Sequence, residues 1–267
     1  MNTGQISSGE PVSRALAGKV AVITGSGRGI GRGIALALAA QGCHVVVNYM
    51  RRRREAEATA AAVAALGVKS LVVQAHLGRS DDAQRLVDEA VAQLGSVDIF
   101  VGNAASGVLR PMTELTAREW DWTMGINVQG LLTAVQRAVP HMRAAGWGRI
   151  ITLTSIGSRR VFPDYGMVGT SKAALEAMTR YLAIELAPAG IGVNCVSPGL
   201  VDTGALESFP RRAEMIEHAQ RNTPAGRLVT PEDVGRVVAW LCGPGAAMIV
   251  GQTIEVDGGY SLGMLQR

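Results

Sequence analysis

Short apolar runs alternate along the chain with longer stretches in which apolar residues recur at helical spacing. The runs predict buried strands and the longer stretches predict crossover helices between them. The predicted strands are 19–24, 45–48, 70–74, 97–101, 149–154, 191–196 and 252–256. The predicted helices are 29–40, 55–66, 81–94, 116–145 with Pro140 near its end, a long helix ending at Leu186, 211–220 within an irregular stretch 204–226, and 231–241. This order predicts an α/β fold, a doubly wound, parallel, seven-stranded sheet in three αβα layers that binds ligands at the carboxyl ends of its strands.

Composition fits one globular unit. The 267 residues are 48% hydrophobic and 18% charged, which excludes a disordered chain. We expect a single domain over residues 18–267, with a substrate loop at about 204–226 and a flexible N-terminal arm over 1–17. No apolar run reaches about 18 residues, and the polar N-terminus does not resemble a secretory signal. A cytoplasmic protein without a membrane partner is expected.

Charge and cysteine usage narrow the list of partners. The net charge is +4, and part of it comes from the run Arg51–Arg54. Aromatic residues make up 4% of the chain and do not alternate with basic ones, so we expect no nucleic-acid partner. The cysteines, Cys43, Cys195 and Cys242, are far apart and odd in number. They predict small buried residues in a reducing compartment, with neither a disulfide nor a metal site.

A glycine-rich turn, TGSGRGIG over residues 24–31, joins the first predicted strand to the first predicted helix. Glycine lets the backbone turn tightly and approach a pyrophosphate, whose charge the helix N-terminus stabilises. The turn therefore predicts a dinucleotide site. The predicted contacts from this turn are Gly25, Ser26, Arg28, Gly29, Ile30 and Gly31.

The end of the second predicted strand indicates which dinucleotide binds. It carries Asn48 and Tyr49, followed by Arg51 and Arg52, and lacks the acidic residue that usually binds the ribose hydroxyls of NADH. No carboxylate at this strand end would repel a 2′-phosphate, and guanidinium groups, including that of Arg28, are available to bind one. The sequence predicts NADPH as the cofactor.

The spacing T-G-x-x-x-G-x-G resembles the short-chain dehydrogenase/reductase family, which implies a Rossmann-like fold. Residues 103–105 resemble its N-A-G segment and residues 198–203 its P-G-x-x-x-T segment, so the resemblance covers about residues 18 to 260. His76 stands where the family usually has an aspartate facing the adenine, and we assign it no chemistry. The further cofactor contacts implied are the backbone of Leu77, Asn103, Ala104, Ala105, Pro198, Gly199, Val201 and Thr203.

The catalytic end departs from the usual family pattern. The family places a proton-donating tyrosine four residues before a lysine that binds the nicotinamide ribose, but here Val168 precedes Lys172 at that spacing. Tyr165 lies further upstream and gives Tyr-x6-Lys. On one helix the two residues would share a face about 10 Å apart along the axis, instead of about 6 Å. The longer separation suits a conjugated enoyl thioester, where charge develops on a carbonyl oxygen distant from the hydride acceptor.

Tyr-x6-Lys, together with segments 103–111, 120–124, 172–186, 222–226 and 251–254, resembles the NADPH-preferring third type of enoyl-acyl-carrier-protein reductase. The resemblance implies that Tyr165 stabilises an enolate and that Lys172 holds the ribose. Ser155 would donate to the substrate carbonyl or order a water. Asn127 would brace the long helix and a proton-relay water, and for this residue a structural role is at least as well supported.

Relatives of this type pair their two long helices into homotetramers or dimers, which implies the same here. Trp120, Trp122 and the stretch 173–186 could supply such a face, or belong to the core. An acidic carrier protein could dock on basic residues, for which the candidates are Arg159, Arg160, Arg211 and Arg212.

Three functional hypotheses stay open. The sequence departs from the reductase pattern at four positions that border the predicted substrate pocket, Gly125, Asp164, Gly166 and Met167. The resemblance therefore does not define which acyl group binds. Reduction of an enoyl thioester is the first hypothesis. The second is reduction of an imine, iminium, hemiaminal or ketone of a specialised metabolite, because an iminium needs less acid assistance than a ketone. The third is a non-catalytic NADPH-binding module.

Overall fold

The computed structural model describes residues 14–209 and 211–263. The strands are β1 (Val20–Ile23), β2 (His44–Tyr49), β3 (Ser70–Gln74), β4 (Ile99–Gly102), β5 (Gly148–Leu153), β6 (Ile191–Pro198) and β7 (Thr253–Val256). The helices are α1 (Gly29–Ala40), α2 (Arg53–Ala64), α3 (Ser80–Leu94), α4 (Ala117–Met124), α5 (Gly130–Ala145), α6 (Gly166–Leu186), α7 (Arg212–Asn222) and α8 (Pro231–Cys242).

All strands run parallel in one seven-stranded sheet, in the order β3-β2-β1-β4-β5-β6-β7. The predicted Rossmann-like, doubly wound fold is confirmed. The chain leaves β1 toward β2 on one side and crosses to β4 on the other. The carboxyl ends of β1 and β4 therefore flank the crevice in which such sheets bind ligands.

The sheet is covered on both faces. In β1, Ala21 and Ile23 belong to one buried cluster and Val20 and Val22 to the other, as the alternation of side chains along a strand requires. Helices α1, α2 and α8 contribute to the first cluster, and α3, α5 and α6 to the second. Helix α1 approaches α8 closely, because a Cβ on Gly33 would lie 2.3 Å from a backbone oxygen of α8.

The predicted helix 116–145 is corrected in one respect. The chain is helical throughout, but Gly125–Gln129 between α4 and α5 adopts a π-helical turn. Gly130, which follows this turn, permits a close approach: a Cβ there would lie 1.9 Å from the carbonyl oxygen of Leu77, just beyond β3. The π turn is thus packed beside the edge where the cofactor is predicted to bind.

The predicted N-terminal arm ends earlier than residue 17. Residues 1–13 lie outside the described part of the chain. Leu16 is 2% exposed and packs in the first cluster, and its N–H donates to the Gln41 carbonyl. Burial of this apolar side chain anchors the chain at Leu16. Within the described residues, no helix is both long and apolar enough to cross a membrane.

The three cysteines are free and buried, as predicted. Burial raises the pKa of the Cys43 thiol to about 12, because a thiolate loses its hydration there. Among the residues that the structure describes, no group of histidine, cysteine or carboxylate side chains could hold a metal ion.

Candidate active site

The glycine turn after β1 is built for close approach. Gly25 and Gly29 have φ of 64° and 53°, values that favour glycine. A Cβ on Gly31 would lie 2.4 Å from the Gly25 carbonyl oxygen. Arg28, which precedes α1, makes no side-chain cap, and the first turn of α1 contains no acidic residue. The first N–H groups of α1 can donate to a pyrophosphate, and the lack of side chains at Gly25, Gly29 and Gly31 leaves room for it.

Neighbouring strands hold the turn in shape. The Asn48 Oδ1 accepts from the Gly25 N–H at 3.0 Å, and the Ser26 hydroxyl donates to the Ile23 carbonyl at 2.7 Å. The Asn103 amide donates to the Thr24 carbonyl at 2.9 Å and to the Gly25 carbonyl at 3.1 Å. Ser26 and the side chains of Asn48 and Asn103 therefore support the turn.

The turn opens into a cleft of about 1440 Å³ at the carboxyl ends of the strands. The cleft brings together all the predicted site residues except Ser26 and Asn127, which are buried beside it. Its lining includes Gly25, Arg28, Gly29, Ile30, Gly31, Asn48, Tyr49, Arg51, Arg52, Leu77, Asn103, Ala104, Ala105, Ser155, Tyr165, Lys172, Pro198, Gly199, Val201 and Thr203.

The end of β2 carries no carboxylate, but the first turn of α2 brings one to the arginines. Glu55, in the first turn of α2, pairs with Arg52 at 2.9 Å and with Arg28 at 3.6 Å. The hydrogen bond to Glu55 raises the pKa of Arg52. Arg51 makes no ion pair among the described residues and lines the cleft. The sequence signal was available, because Glu55 is the first acidic residue after the arginine run.

Tyr165 precedes α6 rather than lying within it, which corrects the premise of a shared helix. Its carbonyl accepts the first helical hydrogen bond, from Gly169 at 2.8 Å. Its hydroxyl lies 3.2 Å from the Ser155 hydroxyl, and its ring packs against Gly157, where a Cβ would lie 2.4 Å from the ring. Burial raises the pKa of Tyr165, so the phenol is protonated at neutral pH.

Two phenylalanines that the sequence analysis did not single out flank Tyr165. The rings of Phe162 and Phe209 lie 6.1 and 6.0 Å from the Tyr165 ring, measured between centroids. Phe162 comes from the loop before α6 and Phe209 from the predicted substrate loop. Isolated phenylalanines in irregular segments carry no periodic signal, so sequence patterns cannot place them.

Lys172 lies deeper in the cleft and is 6% exposed. Its ammonium donates to the Leu153 carbonyl at the end of β5, at 2.8 Å. Burial lowers the pKa of Lys172 to about 8, because the charged form is desolvated. An ammonium carries three protons, so two remain to donate to a ligand.

Val168 occupies the position of the usual family tyrosine and does not line the cleft. It packs against Gly107, where a Cβ would lie 2.3 Å from a Val168 methyl group. The absence of a Gly107 side chain therefore leaves room for Val168. At this position the chain presents no group that donates a proton.

Asn127 lies on the π turn with its hydrogen-bonding groups occupied. Its Oδ1 accepts from the Ser106 N–H at 2.8 Å, and its Nδ2 donates to the Ser106 carbonyl and the Ser171 hydroxyl, both at 2.9 Å. These bonds join the π turn to α6 and to the loop after β4. The bracing role weighed for Asn127 fits this geometry.

The predicted substrate loop lies against the glycine turn. A Cβ on Gly29 would lie 3.4 Å from Thr203, and a Cβ on Gly204 would lie 2.3 Å from the Arg28 guanidinium. The loop contains α7, close to the predicted 211–220. These contacts close one side of the cleft.

The arginines considered for carrier docking are already engaged within the chain. Arg159 pairs with Glu176 and Glu255, and Arg212 pairs with Asp202 at 2.7 Å. Arg211 pairs with Glu214, and Arg160 donates to the Ser261 carbonyl. The charges of Arg159, Arg211 and Arg212 are therefore partly offset before any partner binds, whereas Arg160 donates to a neutral carbonyl.

Fold and site together define an oxidoreductase that binds a nicotinamide dinucleotide. A family profile described as "Enoyl-(Acyl carrier protein) reductase" matches residues 25–261. The chain belongs to the short-chain dehydrogenase/reductase family.

The chain aligns with named relatives over most of its own length and of theirs. The chain is 39% identical over 246 residues to a 1-cyclohexenylcarbonyl-CoA reductase of Streptomyces collinus, covering 91% of this chain and 87% of that protein. It is 35% identical to dehydrogenase/reductase SDR family member 4 of Sus scrofa, covering 95% and 91%.

Solved structures of other proteins superpose on this chain over most of its length. A putative short-chain alcohol dehydrogenase from Sinorhizobium meliloti 1021 superposes with a TM-score of 0.89 at 31% identity, covering 94% of this chain and 100% of the other. A 7α-hydroxysteroid dehydrogenase in complex with NADH and 7-oxo glycochenodeoxycholic acid gives 0.86 at 31% identity, covering 92% and 96%.

Proposed function

We propose that the protein is an NADPH-dependent reductase of enoyl thioesters. The observation that carries the proposal is the position of its acid: the half-buried Tyr165, protonated at neutral pH, lies beside Ser155, and Val168 packs outside the cleft at the usual tyrosine position. Bound NADPH supplies the hydride, which adds to the β-carbon of the conjugated bond.

The chain's own residues meet the charge that results. Negative charge develops on the thioester carbonyl oxygen, which accepts a hydrogen bond from the protonated Tyr165 phenol, and a proton from solvent adds at the α-carbon to complete the reduction. Ser155 holds the phenol through its hydroxyl, and Lys172 donates to the nicotinamide ribose. Phe162 and Phe209 form apolar walls beside the acyl group. Asn127 is a positioning residue that keeps α6 in register with the π turn.

The NADPH preference is supported by the arginines at the adenine end. Arg51 is free of ion pairs within the described residues, and Arg28 and Arg52 face the same part of the cleft. Guanidinium groups bind phosphate monoesters through several parallel hydrogen bonds. The remaining predicted contacts would bind the dinucleotide along the glycine turn and the segments after β3, β4 and β6.

Coenzyme A thioesters are the first substrates to test. The name of the Streptomyces collinus relative, 1-cyclohexenylcarbonyl-CoA reductase, denotes an enzyme of a conjugated coenzyme A thioester. Three of the four candidate docking arginines already pair with carboxylates of this chain, so their charges give no reason to require an acidic carrier.

The test is NADPH oxidation with crotonyl-CoA, a longer enoyl-CoA, a ketone and a cyclic imine under one condition. We expect turnover on the enoyl thioesters to exceed that on the ketone by at least about tenfold, because the ketone lacks a well-placed acid. Faster turnover on the imine or ketone would favour the second functional hypothesis. Tight NADPH binding without any turnover would favour a binding module.

A further inference from the structure

Glu55 lies where a cofactor phosphate would find its donors. Its carboxylate is 2.9 Å from the Arg52 guanidinium and 3.6 Å from that of Arg28. The Oε2 atom is buried and has no hydrogen-bond partner. Glu55 lines the same cleft as both arginines. The Glu55 carboxylate therefore already pairs with the guanidinium groups of Arg28 and Arg52, while its Oε2 atom accepts no hydrogen bond.

The backbone beneath Glu55 is fixed. A Cβ on Gly27 would lie 3.2 Å from the Ala56 nitrogen, so α2 packs directly on the glycine turn. The Thr59 hydroxyl donates to the Gly27 carbonyl at 2.8 Å and closes the same contact. Helix α2, with Arg52 directly before it, cannot withdraw from Arg28 without disrupting this packing. The carboxylate can leave them by rotating its side chain.

We propose that Glu55 is an internal counter-anion that competes with the 2′-phosphate of the cofactor for Arg28 and Arg52. This proposal rests on the proposed use of NADPH. A carboxylate and a phosphate monoester accept from the same guanidinium donors, and they repel each other at short distance. Phosphate binding requires the Glu55 side chain to rotate away, which weakens the preference for the phosphorylated cofactor.

The repulsion by Glu55 acts only on a ligand that carries a 2′-phosphate. A ligand without a 2′-phosphate leaves the Arg28–Glu55–Arg52 contacts intact, so Glu55 imposes no comparable penalty on it. Arg51, unpaired among the described residues, adds a cation that Glu55 does not neutralise. Glu55 thus sets how strongly the enzyme distinguishes NADPH from NADH.

The test uses adenine-end probes, so that binding is measured without catalysis. Calorimetry would give the Kd of 2′,5′-ADP and of 5′-AMP for the wild type and for Glu55→Gln. The control is Glu57→Gln, which removes a carboxylate of the same helix paired with Arg53 at 2.7 Å and not lining the cleft. Glu55→Ala serves as a second variant.

Both Glu55 variants should bind 2′,5′-ADP about five- to tenfold more tightly, with 5′-AMP and all Glu57→Gln values within about twofold of wild type. Unchanged or weaker 2′,5′-ADP binding would overturn the proposal, because Glu55 would then merely orient the arginines. Equal tightening of both probes would overturn it as well. A wild type that binds 5′-AMP more tightly than 2′,5′-ADP would contradict the proposed use of NADPH. The change in the Kd of 2′,5′-ADP caused by the Glu55 substitutions would still decide the role of Glu55.

Discussion

The ammonium of Lys172 is the buried charge closest to the proposed chemistry. Its protonated form donates to the Leu153 carbonyl and keeps two protons for the ribose. Burial lowers its pKa from 10.5 to about 8. The protonated form therefore prevails below about pH 8, and the neutral amine above it.

The first prediction concerns this lysine and pH. Affinity for NADPH, measured by fluorescence, should fall about three- to tenfold as pH rises through about 8, because the charged donor is lost. Binding of 2′,5′-ADP, which lacks the nicotinamide ribose, should stay flat between about pH 7 and 9.5. A flat NADPH profile, or an equal decline for both ligands, would contradict the assigned role.

The same lysine affects stability in the opposite direction. The unfolded chain binds a proton at Lys172 up to pH about 10.5, whereas the folded chain releases it near 8. Between these values the unfolded state holds more protons, so the free energy of unfolding from this residue rises with pH. Below about pH 8 the buried charge destabilises the fold by its desolvation.

At the scale of single residues, the structure brings the predicted residues Tyr165, Ser155 and Lys172 to one cleft, although Tyr165 precedes the helix that the spacing argument assumed it shares with Lys172. The ion pairs around the cleft were not predicted. The contact of Glu55 with Arg28 was missed because it depends on α2 packing against Gly27, a tertiary contact that a linear pattern does not encode. The pair with Arg52 is local, at i,i+3 spacing, and could have been found from the sequence.

At the scale of elements, α4 and α5, with the π turn between them, pack against Leu77 at the edge of the predicted cofactor site. Periodicity predicted one helix, and the chain is indeed helical throughout. A single π turn keeps the chain helical on both sides, so the helical spacing of the sequence predicted the helix without showing the turn. Asn127, on this turn, fixes its register through Ser106 and Ser171.

A pair of glycine substitutions tests this element. Gly130→Ala would bring a Cβ within 1.9 Å of the Leu77 carbonyl and should lower the free energy of unfolding by about 1–3 kcal/mol. Gly125→Ala has open space around it and a helical φ of −58°, so it should be neutral or stabilising by up to about 1 kcal/mol. Urea denaturation measures both. Equal effects would show that the close approach does not constrain the turn.

For the whole molecule, the parallel sheet followed from the alternation of strands and helices, because crossover connections impose it. The assembly state is a separate matter. On α6, Tyr181 and Ile184 are 81% and 77% exposed, while Leu175 and Leu186 are buried. Trp122 packs against His76 and donates to Ser106, so it belongs partly to the fold itself.

We predict a homotetramer, or a dimer, through the outer face of α6. Light scattering at micromolar concentration should give an assembly, because two exposed apolar side chains per helix favour burial against a second copy. Ile184→Lys should shift the protein toward smaller species, whereas Leu66→Lys, at a 37% exposed residue just after α2 on the β3 side of the sheet, serves as the control. A monomeric wild type would contradict this prediction.

The most direct test of the proposed function compares the wild type with Tyr165→Phe in NADPH oxidation with crotonyl-CoA. Loss of the phenol hydroxyl should lower kcat by at least about a hundredfold, because the developing oxyanion loses its donor. NADPH affinity should stay within about twofold, since Lys172 and the glycine turn are unchanged. A Tyr165→Phe enzyme that keeps wild-type kcat would contradict the account.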